Sequence, residues 1–112
     1  MNDLVMRLTE QQRIVAGGPN PSVENLKAAI DRGYVHCKFT ETRGGTDLGV
    51  RLETDKSDWS QADFAAKQGE VTLVGTLTLN YVKVRFHGKL DLASLEGRGY
   101  LEVLEEVEPG AA

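Results

Sequence analysis

The side chains with chemistry to offer are few: one cysteine, Cys37, two histidines, His36 and His87, and charged residues spaced along alternating apolar sequence. A thiolate–imidazole couple needs both groups on one surface. His36 and Cys37 are neighbours in what reads as a strand, so they point to opposite faces and cannot activate each other. Cys37 shares the parity of Val35 and Phe39 and is read as a small core hydrophobe. The histidines and the Asp/Glu residues follow no zinc or calcium spacing. Asp55-Lys56-Ser57-Asp58 resembles the start of a calcium loop, but Ser60 and Ala66 stand where that loop requires glycine and glutamate. No metal and no cofactor is expected.

Two further patterns are weighed and set aside. Arg43-Gly44-Gly45-Thr46 looks like a phosphate-cradling glycine loop, yet it leads into a strand, whereas phosphate loops lead into a helix N-terminus. Asp58 with Asp63, and Glu41 with Asp47, lie in a connector and beside a turn, where nothing desolvates them for acid–base work. The signal that remains is a basic face. Lys38, Arg51, Lys83 and Arg85 share the outward parity of their strands, with His36 on the same face and Arg43 in the adjoining turn. These six residues are the candidate binding site. Either acids such as Glu102, Glu105, Glu106 or Glu108 neutralise the row from the last strand, or an external partner does. RNA-binding sheets stack bases on aromatics, and only Tyr34 and Tyr81 qualify here, so nucleic acid ranks below a protein partner.

The elements that must carry this face follow from periodicity. Leu4, Val5, Leu8 and Val15 recur at helical spacing and predict a helix over 2–15, with Asn2 or Asp3 as cap and Gly17-Gly18 as stop. After the break AGGPNP, Val23, Leu26 and Ile30 predict a second helix from about 21 to 32, with Asn20 as N-cap and Gly33 just past the end. Tyr34 to Thr54 reads as a hairpin folded about Gly44-Gly45. That register sets Phe39 opposite Val50, Cys37 opposite Leu52, Lys38 opposite Arg51 and His36 opposite Glu53.

Residues 54–69 form a connector, either a short alanine-rich helix or a loop pinned by Trp59 and Phe64. Strands return from Glu70. The parity of Val71 to Leu79 is opposite to that of Val82 to Phe86, so a turn or a bulge lies near Asn80-Tyr81. His87-Gly88-Lys89 is read as a hairpin loop that sets Arg85 opposite Asp91, Glu96 to Gly99 as another turn, and Tyr100 to Val107 as a last strand or a short amphipathic helix, with the preceding glycine and hairpins favouring strand.

The expected fold is therefore α+β: two N-terminal helices packed on one face of an antiparallel sheet of about five to six strands, over residues 1–108, with a disordered tail at 109–112. With 112 residues the chain suits one core. A net charge of −4 disfavours a dedicated nucleic-acid binder. A lone cysteine makes no internal disulfide, and no signal peptide or membrane-length apolar run is evident, so a cytoplasmic protein is expected. The function these observations favour is a small non-catalytic binding or accessory module that engages a protein partner, or itself, through its sheet. The alternatives are a small enzyme with a pocket between helices and sheet, and an anionic-ligand or RNA binder using the basic outer face.

Overall fold

The structure is a computed structural model and describes residues 3–106. The elements run α1 (Asp3–Leu8), β1 (Gln12–Ala16), α2 (Val23–Arg32), β2 (Tyr34–Phe39), β3 (Thr46–Leu52), β4 (Glu70–Leu79), β5 (Val82–Asp91) and β6 (Glu96–Glu106). The α+β class and the antiparallel sheet agree with the sequence. The sheet has six strands in chain order, and β6 pairs back onto β1, closing it into a barrel. The expected open sheet with both helices on one face is not what forms. The expected tail at 109–112, and Val107 and Glu108, lie outside the described residues.

Closure depends on a segment whose sequence reads as helix. The predicted helix over 2–15 ends at Leu8, where the Thr9 hydroxyl donates to Met6 O and the buried Gln12 Nε2 donates to Arg7 O. The following QRIVA buries Gln12, Ile14 and Ala16 in strict alternation. That period of two belongs to a strand, and tertiary pairing with β2 and β6 decides the outcome over helical spacing. The second helix fares better. Its N-cap is Ser22, whose Oγ accepts from Asn25 N at 3.0 Å, two residues beyond the expected Asn20. Gly33 closes it in the left-handed region, as expected.

The β2–β3 hairpin keeps its inward set but not its register. Val35 pairs with Val50, Cys37 with Leu48, Lys38 with Asp47 and His36 with Gly49. The loop is residues 40–45, closed by Gly45 N donating to Thr42 O and by the 2.7 Å contact between the Thr42 and Thr46 hydroxyls. The two glycines therefore sit on one side of the loop rather than at its centre. Between β4 and β5, the Asn80-Tyr81 pair is a two-residue turn with both φ positive, which sets Leu79 against Val82 and Leu77 against Val84.

His87-Gly88-Lys89 is not a loop. It lies inside the long strand β5, because Gly88 faces the barrel interior, where a Cβ would overlap Phe86 and Ile14. The space left by Gly88 admits the Phe86 ring, which meets Phe39 edge-on at 5.9 Å. Glu96 to Gly99 is likewise strand, and the turn falls at residues 92–95, where Leu95 N donates to Asp91 O. The connector forms turns rather than a helix: Asp58 Oδ1 accepts from Ser60 N, Asp63 Oδ1 accepts from Ala66 N, and Trp59 and Phe64 pack on the core. Buried side chains from both helices and all six strands meet in one cluster.

Candidate functional site

The registers determine which outward side chains become neighbours. Tyr34 pairs with Arg51, Arg51 with Thr76, Thr76 with Arg85 and Arg85 with Glu102, making one row across β2 to β6. Lys83 lies one step along, between Thr78 and Glu105. Arg51, Arg85 and Lys83 therefore share a surface, whereas Lys38 pairs with Asp47 and Arg43 stands exposed in the 40–45 loop. The expected opposition of Lys38 and Arg51 does not exist, and neither does that of Arg85 and Asp91. The like-charge conflict it would have created is absent.

Arg85, Lys83 and His36 are answered internally. Arg85 Nε donates to Glu53 Oε1 at 2.7 Å and Nη2 to Oε2 at 3.4 Å, while Nη1 stands 3.6 Å from Glu102 Oε1. The Glu53 pairing raises the Arg85 pKa further above its ordinary value. His87 Nε2 shares a 2.8 Å hydrogen bond with Glu102, and that bond, assisted by Arg85, holds the Glu102 carboxyl below the usual range. Lys83 reaches Glu105 at 4.0 Å. His36 faces Asp47 at 3.5 Å instead of Glu53, and Asp47 is further held by Gly18 N at 2.8 Å.

On the surface shared with Arg85 and Lys83, Arg51 is the exception: it is exposed and has no ion pair among the described residues. Lys38 and Arg43, away from that surface, likewise have no ion pair among the described residues. Beside Arg51, Tyr34, 44% exposed, reaches over Gly49, where any side chain would overlap the phenol, and meets His36 edge-on at 5.4 Å. The strand partners change here too. β3 and β4 pair only at Arg51–Thr76 and Leu52–Gly75. Beyond these, residues 46–50 of β3 and 77–79 of β4 have no register partners across the seam, although β2 and β5 pair with their other edges. The result is a hollow of about 360 Å³ lined by Tyr34, Asp47, Leu48, Gly49, Arg51 and residues 76–79.

Sequence reasoning did not find this gap, because it is a property of strand divergence and not of any residue pattern. It also missed a second basic row, in which Lys89 pairs with Arg98 and Arg98 with Arg13. No signal was available for it while Glu96 to Gly99 was read as a turn. There Arg13 is ion-paired with Glu96, and the next row carries Glu70, Asp91 and Glu96, so acids flank the cations. Cys37 is fully buried, and burial, with Asp47 adding to it, pushes its pKa up to about 12, so it stays a thiol and offers no nucleophile. No cluster of three or more potential metal ligands occurs among the described residues.

Comparison with protein-family models gives a match. The model of a family described as "Core binding factor beta subunit" matches residues 23–109, from the first residue of α2 to beyond β6, leaving out α1 and β1. A search of curated proteins returns no match.

Proposed function

The chain belongs to the core binding factor beta subunit family, and from that premise we propose that it acts as a non-catalytic, protein-binding subunit whose partner docks on the outer sheet face at β2, β3 and β4. The family description names a subunit, which is a protein that works bound to another chain. What carries the location is the contrast along one row: Arg85 is held by two glutamates, whereas Arg51, beside the exposed Tyr34 at the mouth of the hollow, makes no ion pair among the described residues. Tyrosine and arginine are among the residue types enriched as anchors of protein interfaces, tyrosine bringing large contact area at low conformational cost and arginine directed polar groups. An anionic small ligand or RNA on the same row would meet fewer free cations, since Glu53, Glu102 and Glu105 already occupy Arg85 and Lys83.

The test is site-specific cross-linking in the native host. A photo-reactive residue at Thr78, exposed beside the hollow, should give a discrete adduct with a different chain. The same residue at Glu70, exposed at the opposite end of β4, should give none. Equal labelling from both positions, or none from Thr78, would overturn the assignment.

A further inference from the structure

The gap between β3 and β4 has a shape that specifies more than a flat docking face. If their ladder continued past Arg51–Thr76, Val50 would meet Leu77 and Leu48 would meet Leu79. It does not continue, so the edge of β3 over residues 46–50 and the edge of β4 over residues 77–79 have no strand beside them among the described residues. Unpaired edge N–H and C=O groups are a template for strand addition. The side chains alternate to match. Leu48, Leu77 and Leu79 face the interior side of the gap, whereas Tyr34, Arg51 and Thr78 form its outer rim.

The geometry points to an extended segment of the partner protein, added as a β-strand along the free edge of β3 at residues 46–50. Alternate apolar side chains enter against Leu48, Leu77 and Leu79, and a carboxylate on the outward side meets Arg51. This rests on the docking reading above and adds its mode and chemistry. Arg51 supplies the charge complement, being exposed and without an ion pair among the described residues. A second copy of this chain is the weaker occupant. Antiparallel pairing of two β3 strands would answer Arg51 with Asp47 of the other copy, and that carboxylate is already held by Gly18 N and His36.

The probes are blocked heptapeptides in which valine alternates with threonine and one outward position is glutamate, added to the full chain and followed by amide hydrogen exchange. Strand addition slows exchange at least ten-fold at gap-facing amides of residues 46–50. Binding should be lost when the peptide's edge-facing amides are N-methylated and kept when the opposite ones are. Arg51→Glu should weaken the glutamate peptide about ten-fold and favour the lysine version. Absence of binding by every such peptide at roughly 1 mM, protection elsewhere in the barrel, or indifference to which amides are methylated would overturn strand addition. So would a homodimer, seen by sedimentation, that Arg51→Glu abolishes. A Thr78 cross-link to another chain combined with any of these results would leave the docking surface standing and remove only the strand mode.

Discussion

At the scale of single residues, the outward face separates groups that hold the fold from groups left for other work. Glu102 belongs to the first kind. Its carboxyl is held below the ordinary value of 4.5, chiefly by the His87 hydrogen bond and then by Arg85. A depressed acid contributes stability that is complete above the unfolded pKa and is lost as pH falls through the folded one. The contribution of Glu102 should therefore disappear only below 4.5. In an NMR titration, its side-chain carboxyl midpoint should lie under that value and move up towards it in His87→Ala; an unchanged midpoint would mean that the bond does not form in solution. Because the group is exposed, the effect on overall stability is small.

Gly49 belongs to the second kind. Gly49→Val drives its side chain into the far end of Tyr34, which can swing into solvent. Stability should change by less than about 1 kcal/mol, while partner capture through the gap falls. A large loss of Tm would show that Tyr34 is structural. Cys37, fully buried, should react with thiol reagents only as fast as the protein opens.

At the scale of elements, what could be read from sequence was composition of faces, and what could not was pairing. The inward set Val35, Cys37 and Phe39 against Leu48, Val50 and Leu52 is legible because a strand has period two. The same period hides the register. Sliding β3 so that Cys37 meets Leu48 rather than Leu52 leaves every apolar residue on the same face, so alternation cannot distinguish the two pairings. The choice is made by the loop, where Thr42 and Thr46 bond across its base. Helix α2 was legible because its apolar stripe and its closing glycine act locally, although its cap is Ser22 and not the expected Asn20; Ser22→Ala should cost about 1 kcal/mol in thermal or denaturant unfolding.

Glycines misled where they serve close approach rather than turning. A Cβ at Gly97 would run into Lys89 O, a backbone atom of the neighbouring strand, which has no rotamer to yield. Gly97→Ala should therefore destabilise by roughly 3 kcal/mol or more, far more than the same exchange at an exposed turn. A loss under about 1 kcal/mol would show that β5 and β6 can separate there at little cost.

At the scale of the whole molecule, the barrel is closed but unevenly laddered, and the proposed docking site lies at its shortest ladder. β4, β5 and β6 are joined along nearly their full lengths, with pairing from Glu70–Asp91 to Leu79–Val82 on one side of β5 and from Val82–Glu106 to Asp91–Glu96 on the other. β3 and β4 are joined by two register pairs and the Glu53 N to Val74 O bond that follows them. Strand pairs open in cooperative units whose free energies follow how many buried contacts and ladder bonds must be broken together. With fewer register pairs than any other neighbouring strands, the seam is expected to open more readily than the long β4–β5 and β5–β6 ladders, and a strand added there would supply hydrogen bonds beyond that short ladder.

Native-state hydrogen exchange separates this picture from a uniformly cooperative barrel. The amide of Glu53, which donates across the seam to Val74 O, should exchange through a local opening well below the global unfolding free energy, while amides of Phe86 and Leu90 exchange only with global unfolding. Saturating a bound strand should raise the Glu53 amide towards the global value by RT ln(1 + [L]/Kd) and leave the β5 amides following global stability alone. Exchange at a single free energy across all six strands would mean that the short β3–β4 ladder is as firm as the long ones, and that the gap is a fixed contour of the surface rather than a place where the sheet is held ready to accept another strand.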